Sequence, residues 1–156
     1  MGGSTFDRRV GGLLAGRYRV EQVRPGESVD SSFVARDRVA RRPVLLVEAA
    51  LPVALGWQRA IGATHSHLAT PIEVVPLAGE RGVIVVEWAP GPDLERVLDG
   101  GERLAPTVAV DLVLSLCGAL ATLHGRGAVH GLVRPAAVWS VEGRGPVLGA
   151  APAAPS

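Results

Sequence analysis

Turn residues cut this chain so finely that little room is left for anything but short strands. Between Gly16 and Glu87 it is a series of short apolar runs separated by tight-turn residues. Only once, at residues 107–123, does an apolar run grow long, and Asp111 alone interrupts it. Tyr18, Val20 and Val23 sit near alternating spacing with Arg17, Arg19 and Glu21 between them, which predicts a half-buried strand. Pro25, Gly26, Glu27 and Ser28 form a turn. Residues 32–36 read as a second strand, with Asp37 opening the next turn, and residues 43–48 as a third that is largely buried. Residues 72–75 and 82–87 are two more, joined by a turn at Ala78, Gly79, Glu80 and Arg81. The spacing predicts an antiparallel sheet of five strands, with a helix-permissive stretch at 50–63 that Gly56 and Gly62 weaken.

The second half reads differently. Residues 93–99 can make a short helix, and 106–126 make a long one, about 30 Å at 1.5 Å per residue. Leu112, Leu116, Leu120 and Leu123 define one of its faces, and Val113, Cys117 and Leu120 a neighbouring one. Gly125 and Gly127 stop it. Strands at 138–141 and 146–148 then form a hairpin around Glu142, Gly143, Arg144 and Gly145. The fold class is α+β. Residues 1–15 read as a flexible Gly-rich leader, 16–151 as the folded domain and 152–156 as an Ala/Pro-rich tail.

A chain of 156 residues suits one domain and can bury roughly 70% of its extended surface. Its 47% apolar content excludes wholesale disorder, and a net charge of +1 excludes the basic field that nucleic-acid binding needs. All 16 basic residues are arginine, so chemistry that needs a lysine amine is excluded. The single cysteine, Cys117, rules out an internal disulfide and a cysteine-cluster metal site, and it reads as a core residue. The N-terminal residues lack the apolar segment of a signal peptide. Pro106, His124 and Arg126 flank the long apolar run, which is read as a buried helix rather than a membrane span. The expected location is cytoplasmic.

The order of elements and the wording of several segments resemble bacterial serine/threonine protein kinases. Gly16-Arg17-Tyr18-Arg19-Val20 is similar to the entry of the first kinase strand, Phe33-Val34-Ala35-Arg36-Asp37 to the second strand and its turn, and Arg42-Pro43-Val44-Leu45-Leu46-Val47 to the third. Thr64-His65-Ser66-His67-Leu68 resembles the segment after the kinase C-helix, and Val85-Val86-Glu87-Trp88 the hinge. Leu123-His124-Gly125-Arg126-Gly127-Ala128-Val129-His130 resembles the run into the catalytic loop. The resemblance implies a kinase-like N-lobe at 16–87 and a hinge with a partial C-lobe at 88–151, truncated before the activation segment.

The same resemblance implies which kinase groups are replaced. The glycine-rich loop that cradles ATP phosphates corresponds to Pro25, Glu27 and Asp30. The strand-three lysine corresponds to Val47, the catalytic aspartate to Leu132 and the metal-binding asparagine to Ala137. The magnesium-binding Asp-Phe-Gly corresponds to Gly149, Ala150 and Ala151. The expectation is therefore a catalytically dead pseudokinase. It would not be an enzyme and would have no catalytic residue, no metal, no cofactor and no tight Mg-ATP binding. It would act as a protein-interaction or regulatory scaffold. The alternative is a small-molecule sensor using the interlobe cleft at Val47, Leu132 and Ala150.

The expected partner surface has two parts. Leu112, Val113, Leu116 and Leu120 of the long helix would serve self-association or a protein partner, because an apolar strip left exposed marks such a site. Arg38, Arg41 and Arg42 form, with Arg36, the densest basic patch, suited to an acidic partner or a phosphorylated segment. His65 and His67 lack a nearby third metal ligand; the kinase resemblance implies that His65 is a turn residue and His130 a structural tie of its loop. No nucleic acid is expected as a partner.

Overall fold

In a computed structural model of the chain, residues 3–24 and 32–150 are described. The turn expected at residues 25–28, the positions Pro25, Glu27, Asp30 and Ala151, and the 152–156 tail lie outside the described residues. The strands are β1 (Leu13–Leu14), β2 (Tyr18–Val23), β3 (Ser32–Asp37), β4 (Arg42–Ala50), β5 (Pro71–Leu77), β6 (Arg81–Glu87), β7 (Val138–Val141) and β8 (Gly145–Leu148). The helices are α1 (Leu51–Gly56), α2 (Leu94–Asp99) and α3 (Pro106–Gly125). The first six strands form one antiparallel sheet in the order β1-β2-β3-β4-β6-β5, and β7-β8 is a separate hairpin.

Six strands stand where five were expected. The extra one, β1, comes from the stretch read as a leader, and Leu13 and Leu14 pair with Arg19 and Tyr18. The physical reason lies in β3 and β4, which are apolar on both faces. Val44 and Leu46 point to one side of the sheet, Leu45 and Val47 to the other. The first side carries Tyr18, Phe33, Val83 and Val85 and has no helix packed on it among the described residues. Residues 3–15 cover it instead. Phe6 packs edge-on against Phe33 at 5.1 Å between ring centres, and Arg8 forks onto Glu48 with two 2.8 Å bonds.

The second side of the sheet packs on α1, α3 and the β7-β8 hairpin. The helix expected across 50–63 is only the six residues of α1, followed by a 3₁₀ turn at Gln58–Ala60. Pro52 serves the first turn, but Gly56 ends the helix and leaves no length for a longer one. The long helix forms as expected, with Pro106 at its start. Gly118 in its middle lets the 64–68 segment come close: a Cβ there would lie 2.9 Å from His65 Nε2.

The tip of the β3-β4 hairpin is held by Asp37, which is fully buried. Its carboxylate accepts two bonds from Arg17, at 2.9 and 2.7 Å, and two more from the Val39 and Ala40 backbone N–H groups. Those bonds, Arg17's first, hold its pKa down at about 2, below the ordinary 3.8. Tyr18 donates to Glu73 at 2.5 Å, and this ties β2 to β5 across the sheet. Asp37→Asn is expected to lower unfolding stability by about 2 kcal/mol, the scale of hydrogen bonds to a charged group. Because the folded pKa lies below the unfolded one, the native carboxylate's advantage is full above pH 3.8 and is lost as pH falls toward 2. Urea titrations of both proteins should therefore converge on acidification; a constant gap from pH 6 to pH 2 contradicts this account.

Candidate functional site

Of the positions singled out by the kinase resemblance, Val47, Ala137 and Ala150 share the core where the second side of the sheet meets the C-terminal half. Val47 lies on β4 opposite Ser32 and Ile84 and is fully buried. Ala137 and Ala150 are also buried, and Leu132 is half-buried. Glu48, next to Val47, faces the other side of the sheet. Burial pushes its carboxyl up, but hydrogen bonds from Arg8 and Arg81 outweigh this and hold it below the ordinary 4.5.

His130 is the fixed point of the loop that follows α3. The Leu132 N–H donates to its Nδ1 at 3.2 Å, so Nε2 carries the proton and donates to the Gly149 carbonyl at 2.7 Å. Gly149 N–H in turn donates to Ala137 O at 2.8 Å, and the ring edge meets Trp57 at 5.2 Å. Burial lowers the pKa of His130 below 6.5 and keeps the ring neutral. The structural role expected of this residue matches that geometry.

Three arginines cross between the sheet and the C-terminal half. Arg144, in the β7-β8 turn, donates to the carbonyls of Ser66 at 2.6 Å and Leu68 at 2.9 Å and to the Glu87 carboxylate at 2.6 Å. Arg126, just after α3, donates to the carbonyls of Ile61 at 2.8 Å and Arg59 at 3.3 Å. Arg24, just after β2, lies over Trp139 at 3.9 Å and Trp88 at 5.3 Å, measured to the ring centres, and pairs with Asp93 at 3.5 Å. Burial is the main reason its pKa is pushed down to about 10, against the pull of Asp93. Sequence reasoning missed all three crossings. The one available signal was that Trp88 stands five residues before acidic Asp93 in a chain with no lysine; Trp139 reaches them only through the fold.

The residues of the expected partner surface separate. Leu116 is buried, and Leu112 and Leu120 are half-buried against the core. Val113 alone of the four stands on the outer face, 55% exposed. Its neighbours there are Val110, Leu114 and Cys117. Cys117 is thus exposed rather than in the core, because the helix is apolar nearly all round and the sequence does not say which side turns inward. Leu112 instead lines a groove of about 520 Å³ with Leu104, Val108 and Trp139, and Glu102 and Asp111 also line it. Arg38, Arg41 and Arg42 are exposed at the β3-β4 tip and form no ion pair among the described residues. His65 and His67 are spent on structure: His65 Nδ1 accepts the His67 N–H, and His67 Nδ1 donates to Pro146 O at 2.7 Å. By length and composition α3 could cross a membrane, with a mean hydropathy of 1.8.

No family profile matches the chain. It is similar to the serine/threonine-protein kinase PkaB of Streptomyces coelicolor, 35% identical over 75 residues. The match covers 48% of this chain and 18% of that kinase. A kinase-like relationship is therefore supported. It corrects the expectation that the chain is not an enzyme, since the named relative is a protein kinase. That expectation rested on replaced residue types alone and had no relative to weigh them against.

His130 sets a pH dependence. Its folded pKa is lowered, so its contribution to stability is full above pH 6.5 and is lost as pH falls through the folded value. His130→Gln is expected to remove that acid-side slope, at most about 1.4 kcal/mol per pH unit for one group. Thermal unfolding from pH 7.5 to 5 compares the two; equal slopes for wild type and variant count against a neutral buried imidazole.

Proposed function

We propose that this chain is a protein-interaction and regulatory module built on a kinase-like sheet, and that the outer face of α3 docks a second copy of the chain. The observation that carries this reading is the division of α3 into two apolar faces. Leu116, Ala119 and Leu123 are buried against the sheet and hairpin, while Val110, Val113 and Leu114 are 57%, 55% and 64% exposed. Adjacent large side chains left in water on one rigid helix mark an interaction surface. Asp111 and His124 are the only acidic or basic residues in α3, so a self-complementary helix pair meets no block of like charge. The net charge of +1 opposes association only weakly.

The inner face also supports a water-exposed docking helix rather than a membrane span, since Ala119 and Leu123 are locked in the core that holds the sheet. The reading concerns α3 and is separate from phosphoryl transfer, which is measured on its own. Light scattering coupled to size-exclusion chromatography tests it. The wild-type chain is expected to run as a dimer at tens of micromolar, and Val113→Glu with Leu114→Glu as a folded monomer. A monomeric wild type, or a double variant that still dimerises, overturns the second-copy reading.

A further inference from the structure

The Arg24 crossing has the make-up of a ligand site that is already filled. Trp88 and Trp139 stand edge to face, 5.2 Å between ring centres and 71° between planes. Between them they leave a guanidinium in contact with one indole at 3.9 Å and near the other at 5.3 Å. A carboxylate, Asp93, closes the third side at 3.5 Å. Asp93 is itself fixed, since its side chain accepts the Arg96 N–H at 2.9 Å and caps α2. Two aromatic walls and a buried carboxylate recognise a planar delocalised cation better than a compact ammonium or a neutral group.

Each wall comes from a different part of the chain. Trp88 follows β6, Asp93 precedes α2 and Trp139 lies on β7, where Ser140 N–H donates to Pro92 O and holds the two segments together. Gly91 makes that approach possible, because a Cβ there would collide with the Ser140 carbonyl oxygen. The cage is therefore built by backbone contacts that do not involve Arg24. The arginine enters from the sheet as a single side chain, at the end of β2, and its side chain is 14% exposed.

We infer that Trp88, Trp139 and Asp93 form a binding site for a planar amidinium or guanidinium cation, and that Arg24 is its intramolecular occupant. A ligand of that class competes with Arg24 and frees the sheet's second strand from the C-terminal half. The site is distinct from the outer face of α3, so it stands or falls apart from the dimer reading.

Benzamidine is the probe, and tryptophan emission the readout, because two of the three tryptophans form the cage. Arg24→Ala in the full chain is expected to bind benzamidine saturably, with a Kd about tenfold or more below that of wild type. Adding Asp93→Asn, which keeps the helix cap but removes the charge, is expected to weaken binding again by about tenfold. If Arg24→Ala does not fold by circular dichroism, Arg24→Met takes its place with the same expected ranking. The inference is overturned by a folded variant that shows no saturable change, by equal affinity in wild type and variant, or by indifference to Asp93→Asn. Failure of both Arg24 variants to fold also overturns it, since Arg24 is then a fixed brace and no ligand can replace it.

Discussion

The guanidinium fork is the interaction on which the arrangement of this molecule rests. The sheet and the C-terminal half share an apolar contact, but such contact is non-directional and would tolerate sliding. Direction comes from Arg24, Arg126 and Arg144, beside the His67–Pro146 bond and the backbone bridge of Leu68 to Leu148. Arg144 and Arg126 direct several N–H groups to backbone carbonyls that no secondary structure satisfies. Arg24 adds ring faces and a carboxylate. A planar, rigid, permanently charged donor can satisfy several acceptors at fixed angles, which an ammonium on a flexible stem cannot. A chain whose basic residues are all arginine has this device wherever it needs one.

Around those crossings the sheet has to satisfy two faces at once. Strands β3 and β4 send apolar side chains both ways, and the chain covers each side with what lies to hand. One side takes α1, α3 and the β7-β8 hairpin. The other takes residues 3–15, with Leu14 in the core, Phe6 packed against it and Arg8 on Glu48. Both sides of the sheet are covered in this way, but the outer face of α3 has no partner among the described residues. The features proposed as functional thus lie outside the sheet itself. One is the uncovered side of a helix and the other a filled cage at the seam.

Much of this was legible in the sequence. Turn residues at Asp37, Gly79 and Gly143 bounded the strands; near period-2 alternation marked β2, and a short, fully apolar run between turns marked β4. Pro106 and Gly125 bounded α3. What was not legible shares a physical cause. The strand Leu13–Leu14 is too short to carry a period, and it exists because Tyr18 and Arg19 offer it an edge. The inward face of α3 is fixed by long-range packing, and a helix apolar nearly all round has no face to read. The arginine crossings join residues 57 to 115 positions apart in the chain or reach carbonyls freed only by tertiary structure. The relation to protein kinases was legible from segment wording, and 35% identity to one such enzyme over 75 residues supports it.

The strand order has a consequence for how the molecule is made. Strand β6 is inserted between β4 and β5, so the centre of the sheet is closed by a segment that leaves the ribosome some thirty residues after β4 does. Until then β4 presents a bare edge carrying Val44, Leu45, Leu46 and Val47. Assembly thus divides into a meander of β1 through β4 and a β5-β6 hairpin, each stabilised by short loops, and one late zippering event between β4 and β6. During that interval, nascent chains crowded on a message are most exposed to pairing with one another.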